Sequence, residues 1–215
     1  MQFDDQKSPA SHAVLQKYAD LATRYERRWS FYVRVTLRET MARFELGPTD
    51  SLLDVGCGTG ALLQMLSKNY PRARLAGVDP CPEMLDVARY RLHDHVELKE
   101  GWAERIPYPE HTFDCVVSCN AFHYIRFPQA ALAEMQRVLR PEGTLVITDW
   151  CDDYLACRIC DWYLRTFNAA HYRTYRAEQC RSLLEEIGVV EVTVNKYKIS
   201  WLWGMMTATA RKRAA

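Results

Sequence analysis

The segment LLDVGCGTG, residues 52–60, constrains the fold of this chain more than any other stretch. Its first four residues form a short, mainly apolar run of the kind that makes a buried strand. Gly56, Gly58 and Gly60 then predict a tight turn, because glycine adopts backbone conformations that other residues avoid. Leucines at helical spacing come next. The segment therefore predicts a strand, a turn and a helix, with the backbone of the turn able to approach a ligand closely.

The same alternation of short apolar runs and helical patterns continues through the middle of the chain. Strands are predicted at residues 52–55, 74–78, 96–98, 115–118 and 145–148. Because parallel strands are joined by crossover helices, this order predicts an α/β fold with a mainly parallel sheet. The turn-forming residues 141–143 predict the end of the helix that precedes them. Two closing strands, antiparallel to each other, are predicted at residues 190–194 and 200–210.

Composition excludes several classes of function. With 28 basic and 27 acidic residues the net charge is +1, so no overall field attracts nucleic acid or an anionic membrane. The 215 residues, 48% of them apolar, fit one soluble globular domain. No apolar run approaches the roughly 20 residues that span a bilayer. Eight cysteines without an N-terminal signal segment favour free thiols, so we expect a cytoplasmic protein.

The glycine turn alone leaves its ligand open. Gly56, Gly58 and Ala61 satisfy the dinucleotide pattern G-x-G-x-x-G/A, and Asp79 follows at a distance suited to a ribose, so an NAD-dependent oxidoreductase is one interpretation. Asp54 argues against it, because a carboxylate beside the turn repels a pyrophosphate and attracts a cation. S-adenosylmethionine fits this chemistry, since it combines an ammonium, a sulfonium, a ribose and an adenine.

Five segments together carry a family resemblance. LLDVGCGTG resembles motif I of the class I S-adenosylmethionine-dependent methyltransferases, and LAGVDPCPEML resembles their second strand with its ribose-binding acid. EGWAERIPYPEHTFDCVVSCNAFHYI is similar to the adenine-site loop and fourth strand, and ALAEMQRVLRPEGTLVITDW to the stretch that ends in the fifth strand. WGMMTATARK resembles the closing strand. The general likeness is to the small-molecule branch that includes the quinone-biosynthesis methyltransferases.

The resemblance implies one methyltransferase domain over residues 1–215. We expect a Rossmann-like three-layer sandwich with a mostly parallel seven-stranded sheet, an antiparallel last strand and an N-terminal helical cap. Residues 1–46 would form the cap, residues 47–150 the cofactor-binding core, and residues 151–215 the substrate wall and closing strands. The expected function is direct methyl transfer from S-adenosyl-L-methionine to a small organic acceptor, at O, N, C or S, leaving S-adenosyl-L-homocysteine.

The same resemblance assigns cofactor contacts. The expected residues are Tyr25, Asp54, Gly56, Cys57, Gly58, Gly60, Asp79, Pro80, Met84, Trp102, Ala103, Glu104 and Asn120. Asp54 would anchor either the turn or the ammonium, and Asp79 would accept hydrogen bonds from the ribose hydroxyls. Many relatives carry an acid where this chain has Trp102, so either Trp102 stacks on the adenine or Glu104 accepts from its amino group. Asn120, just past the fourth strand, would face the cofactor tail.

Acceptor-side residues are expected at the carboxyl ends of the later strands. His123 and Tyr124 are the catalytic candidates, because histidine accepts a proton near neutral pH; the alternative is a histidine that only shapes the pocket. Substrate-wall candidates are His123, Trp150, Tyr154, His171 and Tyr172. No metal is expected, since the acids near Asp149 do not form a metal-binding cluster.

Two further interpretations remain open at this level. The chain could bind S-adenosylmethionine as a non-catalytic regulator. Cys151, Cys157 and Cys160 could serve a thiophilic acceptor such as an arsenical, although buried small residues are the better interpretation of them. We expect a monomer or homodimer with a small-molecule partner, and no nucleic acid.

Overall fold

The computed structural model describes residues 25–92, 96–168, 171–201 and 203–214, with side chains in the first range from Phe31 onward. Its strands are β1 (Ser51–Val55), β2 (Arg74–Asp79), β3 (Val96–Glu100), β4 (Phe113–Cys119), β5 (Leu139–Trp150), β6 (Val190–Lys198) and β7 (Gly204–Arg211). Its helices are α1 (Tyr25–Met41), α2 (Ala61–Asn69), α3 (Pro82–Leu92), α4 (Pro128–Val138), α5 (Leu155–Phe167) and α6 (Ala177–Glu186), with a short 3-10 turn at Phe122–Tyr124.

The seven strands form one sheet in the order β3-β2-β1-β4-β5-β7-β6. The pairs from β3 through β5 are parallel, whereas β7 runs antiparallel to both β5 and β6. The predicted strands, and the antiparallel last strand, are confirmed. The five parallel strands end at the same edge, which is where open α/β sheets bind ligands.

Apolar helix faces cover both sides of the sheet, as the alternation along β1 shows. Leu52 packs into the cluster formed with α1, α2 and α3, and Leu53 packs into the cluster formed with α4 and α6. Every residue of β1 is buried, because helices lie on both of its faces. This is the expected three-layer, Rossmann-like sandwich. Of the expected cap, residues 1–24 lie outside the described part, and α1 packs against β4 and β5.

The sequence interpretation of residues 141–143 needs a correction. Helix α4 ends earlier, at Val138, and β5 begins at the next residue. Glu142 adopts a φ of 62°, and the register between β4 and β5 shifts between Phe113 and Cys115. The turn-forming residues therefore make a bulge inside a long strand, since a bulge uses the same backbone conformations as a turn.

The chain reverses its direction of winding between β1 and β4, which places the loops after these two strands side by side. A Cβ atom on Gly56 would lie 2.5 Å from the Cβ of Ala121, so only glycine fits at this crossing. The predicted glycine turn and the residues that follow β4 therefore share one crevice.

Candidate active site

The glycine turn after β1 has the backbone shape that its sequence predicts. Gly56, Gly58 and Gly60 have φ values of 76°, 51° and 74°. The N–H groups of Gly56 and Cys57 both donate to the carbonyl of Val78, at 2.8 and 3.1 Å. The turn is thus held against the end of β2 by its own backbone, and α2 begins directly behind it.

Asp79 fixes the turn from the side of β2. Its Oδ2 accepts a hydrogen bond from the Gly58 N–H at 2.8 Å, and its Oδ1 accepts one from the Cys81 N–H at 2.9 Å. The side chain is 8% exposed, and burial raises its pKa to about 6 against the lowering effect of these two bonds. Asp79 therefore ties the turn to the start of α3.

Asp54 is a buried carboxylate of a different kind. It is 2% exposed, and no residue in the described ranges donates a hydrogen bond to it. Burial, followed by repulsion from Asp79, raises its pKa to about 8. Because the amides of the turn bond to Val78 and Asp79, Asp54 does not anchor the turn. A buried carboxylate without donors fits a ligand that brings positive charge.

Residues expected at the adenine gather beside Asp79. The Gly101 N–H donates to the carbonyl of Asp79 at 3.2 Å, so Trp102, Ala103 and Glu104 follow next to the crevice. Trp102 is half-buried, and its backbone pairs with that of Arg105.

Glu104 has a partner outside the expected adenine contact. Its Oε1 accepts from the Phe127 N–H at 3.4 Å, and burial raises the pKa of this carboxyl. Met84 lies one turn into α3, beyond Pro80, and is 2% exposed, yet it belongs to neither apolar cluster of the described core. Met84 therefore remains suited to contact a planar ligand.

The structure directs Asn120 toward α1. Its backbone has a φ of 58°, and its side-chain oxygen accepts from the Tyr32 hydroxyl at 2.6 Å. Its side-chain nitrogen donates to the Thr36 hydroxyl at 2.9 Å. The side chain expected to face the cofactor tail is thus held by the cap helix. Tyr25 begins that helix, and its side chain lies outside the described residues.

On the acceptor side, His123 is oriented by Asp149. Its Nδ1 lies 2.7 Å from Asp149 Oδ1, and its backbone N–H donates to Asp149 Oδ2 at 2.8 Å. The Trp150 N–H adds a third donor to the same carboxylate at 2.7 Å. Since a carboxylate with these donors acts only as an acceptor, Nδ1 of His123 donates to it, and in the neutral ring Nε2 is then an acceptor.

The second ring nitrogen of His123, Nε2, is the unusual atom of this pair. His123 is 3% exposed, and Nε2 has no hydrogen-bond partner among the described residues. A buried acceptor without a donor costs about 1–3 kcal/mol, so it calls for an explanation. A histidine whose other nitrogen is held by a carboxylate is the arrangement used for proton transfer.

A second histidine repeats the pattern. Asp161, on α5, accepts hydrogen bonds from His171 Nε2 at 2.8 Å and from the Thr174 N–H at 2.7 Å. Burial alone would raise the pKa of Asp161, but bonds from His171 and Thr174 outweigh it and lower the pKa to about 2. Nδ1 of His171 has no partner in the described part of the chain. The two imidazole rings lie 5.3 Å apart.

Aromatic rings surround the two histidines. Trp150 stacks on His123 at 4.8 Å and 16°, and Tyr124 lies 3.9 Å from the same ring. Trp203 meets Trp150 edge-on at 4.8 Å. We call these five side chains, His123, Tyr124, Trp150, His171 and Trp203, the aromatic cluster. It brings together four of the acceptor-side residues predicted from the sequence.

Tyr154 and Tyr172 lie beside the aromatic cluster rather than in it. Tyr154 covers Gly204, where an added Cβ would meet its ring at 1.9 Å, so this tyrosine packs on the start of β7. Tyr172 contributes its backbone N–H to the carbonyl of His123 at 3.1 Å.

Sequence reasoning missed three residues of this site, Tyr32, Asp149 as a histidine partner, and Asp161. Only the position of Asp149 at the end of a predicted strand signals its role.

The cysteines show no sign of reactive chemistry. Cys57 is buried in the turn, where burial raises the pKa of its thiol well above the ordinary value. Burial also raises the pKa of Cys151 to about 11 and raises that of Cys157, whose thiol donates to the Gly204 carbonyl. Cys160 is half-buried, and its pKa is raised by burial as well. Within the described ranges, no three His, Cys, Asp or Glu residues are grouped to hold a metal ion.

Known proteins resemble this chain in sequence. Residues 53–147 match the family model described as a methyltransferase domain. A demethylmenaquinone methyltransferase of Deinococcus radiodurans is 34% identical over 151 residues, which are 67% of this chain and 63% of that protein. The chain thus spans a little under two thirds of the length of this relative.

Solved structures share the fold. A methyltransferase in complex with the Haloferax volcanii Trm112 methyltransferase activator superposes with a TM-score of 0.79 at 19% identity, covering 91% of this chain and 97% of its own. Phosphoethanolamine N-methyltransferase 2 of Haemonchus contortus, in complex with S-adenosyl-L-methionine, gives a TM-score of 0.69 at 17% identity, over 82% of this chain and 52% of that one.

No helix in the described ranges is long and apolar enough to cross a membrane. The glycine turn with its two acids, the order of the sheet and the matched family model agree with one another. Residues 53–147 are similar to a methyltransferase domain, and the fold is that of S-adenosylmethionine-dependent methyltransferases.

Proposed function

We propose that the protein methylates an O–H or N–H group of a small aromatic acceptor, with S-adenosylmethionine as methyl donor and His123 as the proton acceptor. The observation that carries the proposal is the buried Nε2 of His123, which has no hydrogen-bond partner among the described residues and whose ring is fixed by Asp149. The similarity to methyltransferases supports the methyl donor, and the aromatic cluster supports the kind of acceptor.

The residues of the cofactor half fit S-adenosylmethionine. Asp79 would take the ribose hydroxyls, Met84 would pack on the adenine, and Asp54 would neutralise the ammonium. Asp54 has no donor among the described residues, so an incoming cation would supply the partner that it lacks. When bound, the cofactor supplies an electrophilic methyl group on a sulfonium.

The acceptor half determines which groups can react. Nε2 of His123 and Nδ1 of His171 are both acceptors, because each ring donates its other N–H to a carboxylate. An acceptor that carries O–H or N–H groups can satisfy them, and an aromatic ring can pack against Trp150 and Trp203. His123 would take the proton from the reacting group, and Asp149 would stabilise the imidazolium that forms.

His171 would position the acceptor without taking part in the proton transfer. Its ring lies 5.3 Å from that of His123, so one small molecule can reach both nitrogens. The hydrogen bond from Nε2 of His171 to Asp161 fixes the ring and therefore the position of Nδ1. The enzyme would then gain most of its rate from holding the acceptor in line in a dry pocket, with proton removal adding to it.

Calorimetric titration is the first test. We expect S-adenosylmethionine and S-adenosylhomocysteine to bind at micromolar concentration, to lose affinity in the Asp79→Ala variant, and NADH not to bind. Phenols, hydroquinones and anilines are then screened for formation of S-adenosylhomocysteine, first with the wild type and then with His123→Asn. Cofactor binding without turnover of any of these acceptors, or full turnover by His123→Asn, would contradict the proposal.

A further inference from the structure

Helix α5 carries its large apolar side chains on the outside of the molecule. Leu155, Ile159, Trp162 and Phe167 are 68%, 59%, 67% and 69% exposed, and Tyr163 between them is 55% exposed. Their spacing along α5 places them together along one side of the helix. We call these five side chains the outer face of α5. A contiguous exposed apolar surface of this kind normally marks a contact.

The inner face of α5 explains why the helix does not turn over to bury these residues. Asp161 faces inward, where it accepts hydrogen bonds from His171 and Thr174. Cys157 is fully buried, and its thiol donates to the carbonyl of Gly204. Rotating the helix would break these bonds and expose the second histidine pair. The orientation of α5 is therefore fixed by the pocket, and its apolar side stays outside.

The charge on and near this helix is mainly positive. Residues 120–128, 154–168 and 171–176 contain a single carboxylate, Asp161, which is buried, and the two acids just before the helix, Asp152 and Asp153, are paired with Arg176 and Lys196. Their exposed arginines include Arg126, Arg158, Arg165 and Arg173.

The guanidinium of Arg158 forms no ion pair within the described ranges, so its charge is not neutralised there. Arg165 reaches only the buried Asp161, at 3.8 Å, and stays 58% exposed. Positive charge on this surface is therefore left to an external partner.

We propose that the outer face of α5 docks on an anionic lipid surface. A helix with Trp, Phe and Leu on one side and Arg at its margins has the composition of an interfacial helix. Anionic headgroups would neutralise the arginines while the apolar side chains enter the acyl boundary. Trp201, 85% exposed just before β7, would add a second aromatic anchor.

A second copy of the chain fits this surface less well. A two-fold contact through α5 would bring the arginines of one copy toward those of the other. The nearest carboxylates in the sequence, Asp152 and Asp153, already pair with Arg176 and Lys196. Lipid headgroups carry the missing negative charge.

Docking would give α5 two tasks at once, because the same helix supplies Asp161 to the pocket. A lipophilic acceptor could then pass from the bilayer to the aromatic cluster without crossing water. The docking surface is inferred from the exposed apolar side chains of α5 and the arginines near them. It does not depend on the proposed reaction.

Vesicle sedimentation with the full chain tests this inference. We expect the protein to bind vesicles containing phosphatidylglycerol at least tenfold more tightly than vesicles of phosphatidylcholine. The double substitution Ile159→Ser/Trp162→Ser should lower binding at least tenfold, and Arg158→Gln/Arg165→Gln should remove the preference for the anionic vesicles. Tyr90→Ser is the matched control, since Tyr90 is 86% exposed on α3 and should not affect binding.

Calorimetric binding of S-adenosylhomocysteine shows that each variant is folded. No binding to either vesicle, or binding that the α5 substitutions leave unchanged, would overturn the inference. So would a dimer, measured by light scattering, that the Ile159→Ser/Trp162→Ser variant loses, because a second copy would then cover the surface.

Discussion

Two pairs of buried aspartates divide the active site into halves with opposite electrostatics. On the cofactor side, Asp54 has no hydrogen-bond donor in the described ranges and a pKa raised to about 8, and Asp79 has two backbone donors and a pKa raised to about 6. On the acceptor side, Asp149 and Asp161 each receive three hydrogen bonds, and each holds a histidine.

The difference lies in what each half still requires. Burial without donors leaves the cofactor side short of positive charge, which a sulfonium ligand with an ammonium group would supply. On the acceptor side, groups of the protein itself donate hydrogen bonds to both carboxylates. Two imidazole nitrogens there have no hydrogen-bond partner among the described residues. In the proposed function, the first half receives the cationic cofactor and the second half receives the proton of the acceptor.

The largest effect is expected at His123. His123→Asn removes the proposed proton acceptor, so turnover of the acceptor should fall by about 10²–10⁴-fold. Cofactor affinity, measured by calorimetry, should stay unchanged because His123 belongs to the other half. His111→Asn, at the opposite end of β4, is the control. Equal losses of cofactor affinity and turnover would mean that the two halves are not separate.

Asp79 should give the largest effect on the cofactor side. Asp79→Ala removes the acceptor of the Gly58 and Cys81 N–H groups together with the proposed ribose contact. We expect cofactor affinity to fall by about ten- to a hundredfold, the value of one charged hydrogen bond. Asp79→Asn, which keeps one acceptor oxygen, should lose less. If both variants bind the cofactor as the wild type does, Asp79 has only a structural role.

Asp161 tests the acceptor side through stability. Asp161→Ala leaves Thr174 and His171 without their acceptor, so the free energy of unfolding should fall by about 1–3 kcal/mol in a denaturant titration. The folded pKa of about 2 lies below the ordinary value of 3.8. The carboxylate therefore contributes stability above about pH 4 and loses it as the pH falls toward 2.

The Asp161→Ala variant should lack that part of the acid dependence, while its cofactor affinity stays normal. A cofactor affinity that falls in parallel with stability would count against the separation of the halves.

An effect of opposite sign for stability and binding is expected at Asp54. Its folded pKa of about 8 lies above the ordinary 3.8, so the folded chain holds a proton that the unfolded chain releases, and stability falls as the pH rises from about 4 to 8. Asp54→Asn should abolish this loss and raise the melting temperature at pH 8.

The same carboxylate must ionise to receive a cation. Cofactor affinity of the wild type should therefore rise with pH up to about 8, by at most tenfold per pH unit, and the Asp54→Asn variant should not show this rise. A pH-independent affinity of the wild type would show that Asp54 does not contact positive charge.

Local signals were enough to predict the cofactor half and the parallel core. The glycine turn, the acid that ends β2 and the apolar runs at residues 52–55 and 74–78 are all readable from neighbouring positions in the sequence, because strand, turn and helix formation depend on local spacing. The turn-forming residues 141–143 were misplaced for the same reason: a bulge and a turn share their local preferences.

The acceptor half depends on contacts that local spacing does not encode. His171 and Asp161 are ten residues apart on different elements, and Asp149 was noticed only as a weak candidate for a metal. Asp161 faces inward on a helix whose apolar residues face outward, which is the reverse of the usual amphipathic rule. The partner of Asn120 lies 88 positions earlier in the sequence, so local spacing could not predict that its side chain points toward α1.

The hydroxyl of Tyr32 has a consequence for the order of events. It donates to the side-chain oxygen of Asn120, beside the cofactor crevice, and it accepts from the indole N–H of Trp150, in the aromatic cluster. One phenol group on α1 therefore spans the boundary between the two halves, and any outward movement of this helix breaks both bonds together. An outward movement of α1 would therefore open the acceptor pocket and disturb the edge of the cofactor site at the same time.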